Sequence, residues 1–103
     1  MIPNALVSIV TPVFNEVEVI EAFFQRVVKV MDSVESTELE LIFVDDGSSD
    51  GSYETLVGLG RTNRNVKIVK FSRNFGHQVA ITAGIDYAKG DAVVVNDADL
   101  QDP

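Results

Sequence analysis

The segment NDADLQDP, residues 96 to 103, holds three carboxylates within six positions: Asp97, Asp99 and Asp102. Asp97 and Asp99 flank a single alanine just past the apolar run AVVV. Two carboxylates so close repel each other unless a cation lies between them. Hard oxygen donors suit Mg²⁺ or Mn²⁺, which keep coordination positions open for water and phosphate oxygens. Gln101 supplies a neutral oxygen two residues on. A solvated acidic turn accounts for a lone D-x-D as well. Its place after an apolar strand, read as buried, brings the carboxylates near a buried edge and leaves the acidic turn and the cation site as equal readings.

Three further clusters carry candidate chemistry. In VDDGSSDGS, residues 44 to 52, Ser48, Ser49 or Asp50 suit a helix cap or turn. Capping explains Asp45 and Asp46 poorly, because a tandem acidic pair is costly without a partner. A carboxylate facing a nucleobase accepts its ring N–H, a role that suits Asp46. In TPVFNE, residues 11 to 16, Pro12 and Phe14 offer a face for a base and Glu16 opens a helix; Asn15 as a plain N-cap is the competing reading. In FSRNFGHQ, residues 71 to 78, Arg73 can pair with a phosphate or merely offset acidic surface. His77, the single histidine, reads as a surface residue at a helix start rather than a general base.

The elements that must position these clusters alternate along the chain. LVSIVTP (6–12), LELIFVDDG (39–47), NVKIVKFS (65–72) and DAVVVND (91–97) read as strands. Between the first two, NEVEVIEAFFQRVVKVMDSV repeats Val17, Ile20, Phe23, Phe24, Val27, Val28 and Met31 at helical spacing. Glu16, Glu18 and Glu21 fall in its first turns, where the helix dipole favours anions. SSDGSYETLVGLGR and GHQVAITAGIDYAKG predict two further helices. Strict alternation implies right-handed crossovers and a parallel sheet of about four strands covered on both faces. Ligands in such sheets bind at the carboxyl ends of the strands. Each polar cluster follows a strand, so all four should meet at one edge.

Bulk composition narrows the partners. With 103 residues, 46% of them hydrophobic, the chain forms one α/β domain with a modest core. A net charge of −8 argues against nucleic acid, and it admits phosphate only through a divalent cation. There is no cysteine, so disulfides and thiolate metal sites are excluded. Neither a signal peptide nor an apolar run of membrane-spanning length is visible, and the chain is expected to be soluble.

The four clusters, in this order and spacing, resemble the N-terminal half of a GT-A glycosyltransferase of the large inverting family 2. VSIVTPVFNE is similar to that family's opening strand and P-x-(Y/F)-N-E motif, LIFVDDGSSDGS to its V-D-D-G-S-x-D motif, and NDADLQDP to its D-x-D metal motif. FSRNFGHQVAITAGIDYAKGDAVVVNDADLQDP resembles the polyprenyl-phosphate branch, which includes dolichyl-phosphate mannose synthases and undecaprenyl-phosphate glucosyltransferases. The resemblance covers essentially the whole chain. It implies a GT-A (Rossmann-like) nucleotide-binding half and an inverting transfer of a sugar from a UDP- or GDP-sugar to a polyprenyl phosphate.

By matching positions it assigns Pro12, Phe14 and Glu16 to the base and ribose pocket and Asp46 to the base. Arg73 would meet a phosphate or the acceptor, and Asp97 would lie near the ribose or the metal-bound diphosphate. Asp99 and Gln101, with Asp97, would hold Mg²⁺ or Mn²⁺. Two departures stand out: Phe14 replaces a common tyrosine, and Asn96 a common hydrophobic residue. The resemblance also implies a chain truncated just after the D-x-D, inactive in transfer by itself. The acceptor side, a catalytic carboxylate and membrane-associated helices would lie beyond residue 103, on the cytoplasmic face of a membrane. Homo-oligomerisation stays open. The rivals are a soluble family 2 enzyme acting on a saccharide or protein, and a Mg²⁺-binding receiver-type signalling module. A receiver would carry its acidic pair after the first strand and a lysine after the last, and neither is present.

Overall fold

The computed structural model describes residues 5–33 and 37–98. In chain order the elements are β1 (Ala5–Val13), α1 (Ile20–Asp32), β2 (Thr37–Asp45), α2 (Ser52–Thr62), β3 (Val66–Lys70), α3 (His77–Tyr87) and β4 (Ala92–Val95). All strand pairs are parallel, in the order β3-β2-β1-β4. The order reverses at β1, which makes the carboxyl end of β1 and β4 the topological switch point.

Strand alternation divides the core between two faces. Ile9, Val13, Leu41 and Phe43 pack with Ile20, Phe23, Phe24 and Val27 of α1 and with Leu56 and Leu59 of α2. Val10, Ile42 and Val44 pack on the other face with Ala80 of α3. Each fully buried Leu, Ile or Phe contributes about 1.5–3 kcal/mol relative to exposure. Gly84 lets α3 approach closely, since a Cβ there would lie 2.3 Å from Val10 Cγ1.

Two expectations change. The first helix begins at Ile20, not near Asn15, so only Glu21 of the three glutamates lies in its first turn. Residues 14–19 turn instead, because side chains from the segment after β2 take the amides a helix start would need. Asn15 N–H donates to Ser48 Oγ (2.9 Å), Glu16 N–H to Ser52 Oγ (3.0 Å) and Val17 N–H to Asp50 Oδ2 (3.2 Å). Asn15 adopts φ 51° and is not a helix cap; its Oδ1 accepts from Ser49 N–H. The second correction concerns β4, read as buried: Val93, Val94 and Val95 are 41–44% exposed. Among the described residues β4 pairs with β1 on one side and with no strand on the other.

A buried polar cluster fastens the connection between α3 and β4 to the middle of the sheet. Glu40 of β2 accepts from Ser8 Oγ (2.6 Å), Lys67 Nζ (2.8 Å) and Lys89 N–H (3.0 Å), and Gly90 N–H donates to Ser8 Oγ (2.8 Å). Burial opposes the charge on Glu40, but these donors and the Lys67 cation outweigh it and lower its pKa from 4.5 to about 2. A depressed carboxyl pKa stabilises the fold above the unfolded value and loses that contribution as pH falls through the folded one. Glu40 therefore stabilises the chain by about 3 kcal/mol at neutral pH, lost between about pH 4.5 and 2. Denaturant titrations across this range should show Glu40→Gln less stable at pH 7 and converging on the wild type near pH 2.

Candidate nucleotide site

The carboxyl edge of the sheet holds a cavity of about 290 Å³, and residues following all four strands line it. Pro12, Val13, Phe14 and Glu16 come from the end of β1, Asp46 from the end of β2, and Asp97 from just past β4. Asn74, Gly76 and His77 enter from the β3–α3 connection. Pro12 is tolerated in a central strand because of its register. Val10 O accepts from Asn96 N–H on the β4 side, and the β4 ladder ends at Val10↔Val95. Pro12 points the same way two residues later, past the ladder, so its missing N–H breaks no bond.

Asp46 organises the cavity wall. Only 3% exposed, it accepts from Phe75 N–H at Oδ1 (2.7 Å) and from Gly76 N–H and Asn74 Nδ2 at Oδ2 (both 3.1 Å). These donors offset the cost of a buried carboxylate beside Asp45. Gly47 has φ +80°, and a Cβ on it would fall 2.3 Å from the Arg73 carbonyl carbon, so the two connections touch backbone to backbone. The Asp50 carboxyl, which burial would raise, is held below its ordinary value by bonds from Ser52 and Val17 N–H. The polar run 45–52 thus spends most of its side chains joining neighbouring connections.

Of the residues singled out in the sequence, Pro12, Phe14, Glu16, Asp46 and Asp97 are brought together. Phe14 is 45% exposed, and Glu16 Oε1 accepts from Phe14 N–H (3.2 Å). Arg73 is not on the wall: its guanidinium stacks on the Phe75 ring at 4.4 Å, and Phe75 meets Phe71 edge to face. Asp99 and Gln101 lie outside the described residues. Asp97 is exposed, with Oδ1 3.6 Å from His77 Nε2. Among the described residues no three potential ligand side chains cluster for a metal ion. Asp97 offers a hard carboxylate oxygen open to the cavity, which fits one position of a Mg²⁺ or Mn²⁺ shell.

His77 was missed as a wall residue. Its signal was present: like the other polar clusters, it follows a strand that ends at this edge. Thr11 Oγ1 and Asp45 Oδ2 are buried without a side-chain or backbone partner, and neither residue lines the cavity.

An aromatic face, a proline and carboxylates converge at the switch point of a parallel sheet, where α/β domains take their ligands. Residues 8–103 match the glycosyl transferase family 2 model, and the chain belongs to that family. It is 57% identical over 96 residues to the uncharacterized glycosyltransferase YkcC of Bacillus subtilis, covering 93% of this chain and 29% of that one. It is 41% identical over 97 residues to the prophage bactoprenol glucosyl transferase homolog of Escherichia coli, covering 94% and 31%. The chain therefore spans about a third of the length of such relatives. In fold it is similar to the mannosyltransferase PcManGT of Pyrobaculum calidifontis, solved with GDP-Man and Mn²⁺. That match has TM-score 0.80 and 24% identity and covers 93% of this chain and 28% of the other. The expected family and the α/β GT-A-like fold both hold. No helix among the described residues is long and apolar enough to cross a membrane.

Proposed function

We propose that the chain is the donor-binding part of an inverting glycosyltransferase that moves a sugar from a nucleotide-diphosphate sugar to a polyprenyl phosphate. The observation carrying this reading is the convergence of Pro12, Phe14, Asp46 and Asp97 on one cavity in a family 2 chain. The 41% identity to proteins named as bactoprenol glucosyl transferases supports the lipid phosphate as acceptor, on a membrane surface.

Phe14 and Pro12 give the base an apolar face, and Glu16 stands where a ribose hydroxyl can donate to it. Asp46 keeps the wall of residues 74–76 closed around the nucleotide and has capacity on Oδ1 for a ring N–H. Asp97, with Asp99 and Gln101, would hold Mg²⁺ or Mn²⁺. When bound, such a cation neutralises charge developing on the leaving diphosphate. The acceptor phosphate is already anionic, so it attacks the anomeric carbon with less need of a base than an alcohol has. Donor-side residues orient the nucleotide for that in-line displacement.

Calorimetry tests the reading. Uridine or guanosine diphosphate should bind in the presence of Mn²⁺, and Asp97→Ala or Asp99→Ala should each weaken binding by at least about tenfold. Metal-independent binding that ignores both substitutions would sink the assignment.

A further inference from the structure

His77 faces the cavity with its side chain 61% exposed, and its Nε2 lies 3.6 Å from Asp97 Oδ1. That separation is longer than a hydrogen bond, so the imidazole is not committed to Asp97. The rest of the wall is poor in donors. Glu16, Asp46 and Asp97 are carboxylates, and the Asn74 amide is already given to Asp46. Arg73 is turned away onto Phe75. Among the described wall residues, His77 alone brings a side-chain donor to an anion without releasing a bond that holds the wall. An anion beside a cation at Asp97 would lie within reach of that imidazole.

We propose that His77 contacts the diphosphate of the nucleotide donor directly, donating Nε2–H to a phosphate oxygen beside Asp97. The inference rests on the cavity being a nucleotide-diphosphate site, and it adds a specificity residue for the diphosphate over shorter ligands. A neutral imidazole suffices for the contact.

The test compares nucleoside di- and monophosphates, in the uridine and guanosine series, by calorimetry on this chain at saturating Mn²⁺. His77→Ala should weaken the diphosphate about tenfold and the monophosphate less than about twofold, as expected for one hydrogen bond to a charged group. His77→Gln, whose amide also donates, should recover part of the loss. His77 is exposed, so both variants should keep the wild-type circular dichroism spectrum. Wild-type diphosphate binding left unchanged by His77→Ala overturns this inference alone. Equal losses for both ligands overturn it too. Directly bound ¹⁴N in the pulsed EPR spectrum of Mn²⁺ on the wild type, lost in His77→Ala, would make the residue a metal ligand and also overturn it. Absence of binding by the wild type to either series would remove the site reading, and this inference with it.

Discussion

Gly47→Ala should be the most damaging small substitution in the chain, costing about 3 kcal/mol or more. Two effects add. Gly47 sits at φ +80°, where a side chain strains the backbone. Its Cβ would also meet the Arg73 carbonyl carbon at 2.3 Å and Asn74 N at 2.4 Å. These are main-chain atoms, so the clash cannot be relieved by a rotamer change. The β3–α3 connection must move as a body, taking Asn74, Gly76 and His77 out of the cavity wall. For a domain of this size the melting temperature should fall by more than about 10 °C. Gly58→Ala is the control: a Cβ there meets nothing within 4 Å, and alanine favours the helix. Thermal melts of the two variants side by side check the argument. A Gly47→Ala melt within about 2 °C of the wild type would mean that the two connections do not touch.

Asp46→Ala should have the largest effect on ligand binding for its cost in stability. It removes the acceptors of Phe75 N–H, Gly76 N–H and Asn74 Nδ2 together. The exposed surroundings of residues 73–75 let water take over part of that role, so the loss of stability should be about 2–3 kcal/mol. The wall then loses its anchor, and nucleotide-diphosphate affinity should drop by at least about thirtyfold where the variant is still folded. Asp46→Asn separates wall-holding from charge. Its amide presents one acceptor oxygen and an NH₂ that opposes the incoming N–H groups, so it should rescue little. Amide hydrogen exchange at Phe75 and Gly76 should accelerate in both variants. Unchanged exchange with lost binding would instead assign Asp46 to the base alone.

Much of the site was legible in the sequence because parallel α/β sheets put every strand's carboxyl end on one edge. Pro12, Phe14, Glu16, Asp46 and Asp97 lie at or just past the ends of three different strands, yet strand alternation alone was enough to group them. The partners of those residues were not legible. Asp46 is 28 to 30 positions from the groups it binds, and no local period links such positions. The apolar spacing from Val17 predicted a helix too early, because the competing partners of residues 15–17 lie more than thirty positions away. The run AVVV reads as buried by composition, whereas Val93, Val94 and Val95 are 41–44% exposed in this chain, which spans about a third of its relatives' length.

By itself the sequence determined the alternation of elements, the edge at which chemistry gathers and the family motifs strung along it. These follow from periods of 2 and 3.6 residues and from short contiguous patterns, which a linear reading captures. Tertiary structure alone decided the order β3-β2-β1-β4, which puts Asp97 beside the end of β1. It also turned Arg73 onto Phe75, set His77 opposite Asp97 and made Asp46 the anchor of a wall. Those outcomes depend on which distant segments pack together, and that is settled by burial and hydrogen-bond satisfaction across the whole fold.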